Sequence, residues 1–192
     1  AGAYRLDELI GSGGMGRVFR ASRADGLIAQ EVAIKLLRRE ALNPALLRRF
    51  SLERQVLASL DHPGIARLLD AATLEDGTPY VVMELVRGQS LLAWCDARRA
   101  PLEARLRVFL RVLDAVAHAH RSLVVHRDLK PGNVLVDADG GIKLLDFGIA
   151  ALIGDDEAAR ASSPGWASPE QLAGGDVGPA SDQYQLGLLL DA

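Results

Sequence analysis

Three glycines near the amino terminus, Gly11, Gly13 and Gly16 in the stretch "LIGSGGMGRVFRAS", stand in the order G-x-G-x-x-G. The residues after Gly16 constrain the fold more than the glycines do. A dinucleotide cradle needs a strand, the glycines and then a helix whose first amides face a pyrophosphate, with an acidic residue about 20 positions on. Glu31 stands 20 positions after Gly11 and could be that acid. Yet "RVFRAS" alternates with a period of two around Val18, and the polar turn "RADG" comes next. The glycines therefore join two strands, "YRLDELIGSG" and "GRVFRAS", and no helix dipole faces a pyrophosphate. These residues alone leave two readings, a loop that closes over phosphate and an ordinary hairpin turn.

The β-rich pattern continues to residue 86. "QEVAIKLL" is a third strand, with β-branched Val32 and Ile34. "PALLRRFSLERQVLASL", residues 44–60, places Leu46, Leu47, Phe50, Val56, Leu57 and Leu60 at helical spacing, with Pro44 in the first turn. Asp61-His62-Pro63-Gly64 stops it, and two further strands come next, "IARLLDAA" and "PYVVMEL". Residues 1–86 thus read as a five-stranded antiparallel sheet with one helix.

Past Gly88 the chain turns helical. "SLLAWCDARR" is a short helix and "PLEARLRVFLRVLDAVAHAHRS" a long one, whose apolar stripe reads Leu102, Leu106, Phe109, Leu110, Leu113, Val116 and Ala117. Two short strands, "NVLVD" and "GIKLLD", a polar loop and a helix after Pro179 complete it. The expectation is an α+β chain of two lobes, 1–86 and 87–192, the second mainly helical and incomplete. The apolar pattern "YQLGLLLDA" runs to the last residue, so Leu186, Leu188, Leu189 and Leu190 are expected to lie exposed, leaving the chain poorly soluble or inactive by itself.

Bulk composition excludes some function classes. A formal charge of −3 over 192 residues gives no global basic field, so a nucleic-acid partner is not expected. Cys95 is the only cysteine, which excludes an intrachain disulfide or a cysteine metal cluster and suits a reducing, cytoplasmic compartment. No run of about 18 apolar residues occurs, so no membrane segment is expected within the chain, though an anchor outside it stays open. Cys95 reads as an inert, partly buried thiol, and the pairs Arg38-Arg39, Arg48-Arg49 and Arg98-Arg99 as solvated faces. His118 and His120, two apart on a helix, do not share a face and make no metal site.

Of the 22 basic residues only Lys35, Lys130 and Lys143 are lysines. Lys35 sits in "VAIK" on the third strand, and Glu53 lies 18 residues later inside the expected helix. Such a pair can hold an ammonium against the α- and β-phosphates of a nucleotide. "HRDLKPGN" then places His126, Arg127, Asp128, Lys130, Pro131 and Asn133 in one loop, and Asp146, Phe147 and Gly148 come after it as "DFG", Asp146 being 13 residues past Asn133. A carboxylate five residues before an amide, with a second carboxylate beyond a strand pair, suits phosphoryl transfer: two oxygen ligands for Mg²⁺, and one carboxylate for the acceptor hydroxyl.

Together these motifs make the chain closely resemble the eukaryotic-like Ser/Thr protein kinases of bacteria, from Tyr4 to the final residue. The resemblance implies a bilobal fold with ATP and Mg²⁺ (or Mn²⁺) in the cleft. Gly11, Gly13 and Gly16 would let the backbone approach the phosphates, and Val18 would cover the adenine, with Ile10, Ala33 and Leu135 around it. Met83 would be the gatekeeper, and Glu84 and Val86 would offer backbone hydrogen bonds to the base. Lys35 would bind the α- and β-phosphates, held by Glu53. Asp128 would be the catalytic base, Lys130 would steady the γ-phosphate, and Asn133 and Asp146 would ligate the metal. Lys130, two residues after Asp128, implies a protein Ser/Thr substrate rather than Tyr. The alternative is a pseudokinase, an ATP-binding scaffold without turnover; a small-molecule kinase is disfavoured by Lys130 and by Pro169-Glu170. Glu31 falls to an ordinary strand-end residue.

The segment from Asp146 to Glu170 departs from the family pattern. Ser163 stands where relatives carry Thr, Ser168 where they carry Ala, and Glu170 would pair with an arginine the chain lacks. Arg127 suggests control by phosphorylation, but Ser162, Ser163 and Ser168 are the only hydroxyls of this segment. "GDDE" (Asp155, Asp156, Glu157) could supply a constitutive anion, so weak dependence on autophosphorylation is expected. Asp182 resembles the aspartate that braces the catalytic loop.

Overall fold

The computed structural model describes residues 3–14, 16–25, 29–37, 60–147 and 165–192. The expected helix over 44–60, with Glu53, lies outside them except for Leu60, as do Gly148, Asp155, Asp156, Glu157, Ser162 and Ser163.

Five strands form one antiparallel sheet in the order β1-β2-β3-β5-β4: β1 (Tyr4–Gly13), β2 (Gly16–Arg23), β3 (Glu31–Leu37), β4 (Leu68–Thr73) and β5 (Pro79–Glu84). Gly13 pairs with Gly16 across the turn, so the glycine motif is a hairpin tip. β3 is central, and its pleat sorts its side chains between two cores. Val32 and Ile34 pack with Ala21, Tyr80 and Val82 on one face. Ala33 and Leu37 join the main core on the other, and Lys35, of the same parity, faces that side, where the cleft lies.

β4 starts three residues later than "IARLLDAA" predicts. Ile65 instead bridges Leu144 in parallel, with the Ala66 amide donating to the Leu144 carbonyl (2.9 Å) and the Leu144 amide to the Gly64 carbonyl (2.8 Å). The loop before β4 is thereby docked onto the second sheet. That sheet has three strands, β6 (Gln89–Ser90), β7 (Val134–Val136) and β8 (Ile142–Leu144). β6 was not expected, because two residues carry no periodicity.

Helix α1 spans Leu91–Ala97 and α2 spans Leu102–Arg121. The stripe read for α2 is largely wrong: Leu102, Leu106, Leu110 and Ala117 are exposed, Phe109 and Leu113 are half-buried, and the buried face is Val108, Val112, Ala115, Val116 and Ala119. Both faces carry apolar residues at helical spacing, and side-chain size pointed to the wrong one. The small and β-branched face lets α2 approach β8 closely. α3 (Pro169–Ala173) was also unexpected, and α4 (Pro179–Asp191) closes the chain. Leu186 and Leu189 are buried, against expectation, because α4 packs on α2 and α3; Leu190 is exposed and Leu188 half-buried. Each buried leucine contributes about 2 kcal/mol.

Candidate active site

The loop from His126 to Asn133 is held from beneath by side chains of α4 and α3. The carboxylate of Asp182, wholly buried, accepts the backbone amides of His126 and Arg127, both at 2.8 Å, and meets His120 Nε2 at 2.8 Å. Gln185 Oε1 accepts the Leu129 amide (2.8 Å), and Gln171 Nε2 donates to the Arg127 carbonyl (2.7 Å). Gln185 Nε2 donates in turn to Gln171 Oε1 (3.0 Å). Asp182 lies where its brace role requires; Gln171 and Gln185 were missed. A signal for the first was present, since Ser168-x-x-Gln171 is a capping box with Pro169 at the first helical position, and both of its reciprocal bonds form. The Ser168 that departs from the family pattern is therefore a helix cap. The Ser181 hydroxyl donates to Glu170 and holds its carboxyl below the usual range.

His126 is also wholly buried. Its Nδ1 accepts the Asp128 amide (3.3 Å) and its Nε2 lies 2.9 Å from the Leu145 carbonyl, so the ring is neutral with its proton on Nε2. Burial pushes its pKa down, outweighing the nearby carboxylates of Asp182, Asp128 and Asp146. The ring packs against Phe147 at 4.5 Å, joining the loop to the residue after Asp146.

On this platform the charged side chains converge. Lys130 Nζ lies 2.7 Å from Asp128 Oδ2, and Asn133 Nδ2 donates to the same oxygen (3.0 Å) and to the Asp128 carbonyl (2.7 Å). The Asn133 amide nitrogen is thus engaged, which turns its carbonyl oxygen to any cation it would ligate. Lys35, 5 % exposed, forms a 2.7 Å ion pair with Asp146 Oδ2 across the cleft. Arg127 and Asp146 both have left-handed backbone (φ 72° and 60°), a strained geometry for residues with side chains.

These groups line one cavity of about 920 Å³. Ile10, Val18, Val86 and Leu135 form an apolar wall, and Lys35, Asp128, Lys130, Asn133 and Asp146 a charged end. Gly11, Gly13 and Gly16 form the roof. A Cβ on Gly13 would meet nothing and one on Gly11 only Val18 at 3.7 Å, whereas one on Gly16 (φ 145°) would collide with the Leu36 carbonyl. Gly16 is thus required by the β2–β3 approach itself, whereas Gly11 and Gly13 line the cavity without any steric need for glycine. Ala33, Met83 and Glu84 do not line this cavity. Ala33 and Met83 are buried cross-strand partners behind it, and the Glu84 amide donates to the Arg67 carbonyl (2.9 Å), so a base could meet only its carbonyl. Glu31, set aside in the sequence, holds Arg87 Nη2 (2.6 Å) and Arg20 Nη1 (3.2 Å), and Arg20 reaches Glu8 (3.1 Å), an exposed chain of ion pairs along the mouth.

A base fits the apolar wall and a polyphosphate the charged end. Among the described residues no group of three His, Cys, Asp or Glu could cage a metal. Asp146 and Asn133 would offer two hard oxygens, a donor set for Mg²⁺ that shares its shell with phosphate oxygens and water.

Residues 4–191 match the family described as the protein kinase domain. The chain belongs to the protein kinase family. It is 40 % identical over 197 residues to the serine/threonine-protein kinase PrkC of Bacillus subtilis, covering 99 % of this chain and 30 % of that protein. Against the serine/threonine-protein kinase PknA of Mycobacterium tuberculosis it is 38 % identical over 202 residues, covering 98 % of this chain and 46 % of PknA. The chain thus spans less than half the length of these relatives. The crystal structure of the M. tuberculosis PknI kinase domain superposes with a TM-score of 0.77 at 30 % identity, covering 98 % of this chain and 72 % of that one. The kinase fold is established by these matches, with its five-stranded sheet and the helices beyond it. No helix among the described residues is long and apolar enough to cross a membrane.

Proposed function

We propose that this chain is the catalytic part of a protein serine/threonine kinase, with residues 1–86 and 87–192 as its two lobes, transferring the γ-phosphoryl group of ATP to a Ser or Thr hydroxyl of a protein on the cytoplasmic side of the cell. The observation that carries the reading is the convergence of Lys35, Asp128, Lys130, Asn133 and Asp146 on the charged end of one apolar-walled cavity. Asp128 accepts the proton of the acceptor hydroxyl as its oxygen bonds phosphorus and the bridging oxygen leaves with ADP. Lys130, 2.7 Å from that carboxylate, balances its charge and steadies the γ-phosphate. Lys35 leaves Asp146 to bind the α- and β-phosphates, which frees Asp146 to act with Asn133 as a metal ligand. Mg²⁺, when bound there, supplies neutralising charge to the phosphates.

Incubating the full-length protein with labelled ATP and either a basic Ser/Thr-containing protein or small alcohols and aminoglycosides tests the substrate class. Label in the protein on phosphoserine or phosphothreonine is expected. Label in the small molecules alone would contradict the reading, and nucleotide binding without transfer would return it to the scaffold alternative.

A further inference from the structure

The third lysine has no place in the chemistry above, and its surroundings give it one. Lys143 lies on β8, three residues before Asp146, and its Nζ meets Glu84 Oε2 at 2.8 Å and the Ile65 carbonyl at 3.4 Å. Glu84 ends β5, at the junction between the two lobes. It pairs with Val32 of β3, Oε2 also accepts the Arg67 amide (3.2 Å), and its own amide donates to the Arg67 carbonyl (2.9 Å). Both ionic side chains are shielded, at 25 % and 32 % exposure, so salt screens them less than a surface pair.

We propose that Lys143 is a positioning residue for nucleotide binding, acting through Glu84. The loop around Ile65 is already fixed to β8 by two backbone hydrogen bonds, Leu144 amide to Gly64 and Ala66 amide to Leu144. Lys143 adds the link from this rigid pair to the Glu84 carboxylate, so the Glu84–Val86 backbone is held in register with the strand that carries Asp146. A side-chain contact outside the cavity thereby joins its base end to its metal end. Without the ammonium, the Glu84 carboxylate loses its only described ionic partner and keeps the Arg67 amide alone, so the Glu84–Val86 segment is held less firmly against β8. The proposal rests on the kinase reading for the reaction, but the register it describes governs nucleotide binding whether or not transfer occurs.

Lys143→Met keeps length and apolar stem and removes the charge; Glu84→Gln keeps shape and removes the other charge. In the full-length protein each is expected to raise KM for MgATP and Kd for a non-hydrolysable MgATP analogue about fivefold, with kcat within about twofold. The double variant is expected to match the worse single variant, because both remove one interaction. Lower melting temperature with unchanged Kd would reduce Lys143 to a structural role and overturn the proposal. So would additive losses in the double variant, or a gain in activity in either single variant. Should wild type bind the analogue but transfer nothing, the kinase reading fails while the Kd comparison still decides this one.

Discussion

The glycine hairpin and the His126–Asn133 loop both face the cavity, and they are built by opposite means. β1 is largely exposed and β2 mostly half-buried, and the ionic contacts at their rim, Glu8–Arg20 and Arg20–Glu31, are exposed. The loop from His126 to Asn133 rests on a buried platform in which Asp182, Gln171 and Gln185 satisfy its amides and a carbonyl one by one. Buried polar groups are costly to leave unpaired, whereas exposed ion pairs contribute little. The Asp128 carboxylate therefore sits on a support that tolerates little loss, whereas the roof is held by weaker, exposed contacts.

That contrast makes ordered predictions. The largest effect belongs to Asp182→Ala, which strips the partners from a buried and a part-buried amide at once and should cost about 3–5 kcal/mol in urea denaturation. A loss below about 1 kcal/mol would mean the platform is not what holds the loop. Gly16→Ala comes next, at about 2–3 kcal/mol from the clash with Leu36, while Gly13→Ala should leave stability within about 0.5 kcal/mol. Equal effects at the two glycines would break the distinction drawn within the roof.

His126 sharpens the comparison through pH. The folded ring is held neutral below the ordinary imidazole value of 6.5, so the unfolded chain takes up a proton there that the folded chain refuses. Stability from this group is complete above pH 6.5 and falls as the pH drops below it. Chemical denaturation at pH 7 and pH 5.5 should show a loss that His126→Phe flattens; an equal slope in both proteins would contradict the neutral assignment. The smallest effect is expected at the rim, where Glu31→Gln should change stability by about 0.5 kcal/mol or less, and less still at high salt.

Much of this was readable in the residues. The five strands were legible because period-two alternation is strong in "GRVFRAS" and "QEVAIKLL", and the parity of β3 places Lys35 on the cleft side. The motifs of the loop were legible because their spacing is short and local. What was lost is tertiary. α2 carries apolar residues on two faces, and only its neighbours decide that Val112 is buried and Leu110 exposed. Gln171 and Gln185 are ordinary polar residues until the fold brings them beneath Arg127 and Leu129. Leu186 and Leu189 read as a loose apolar end, yet α2 and α3 cover them. The Glu53 partner expected for Lys35 lies outside the described residues, and the contact described there, to Asp146, joins two motifs 111 residues apart that no local pattern links.

The role proposed for Asp128 is proton transfer in a cavity that binds ATP without it. Asp128→Asn in the full-length protein, assayed in parallel for phosphoryl transfer to a Ser/Thr protein and for binding of a non-hydrolysable MgATP analogue, tests this directly. Transfer should fall at least about 100-fold while the dissociation constant stays within about threefold. Transfer at the wild-type rate would contradict the claim.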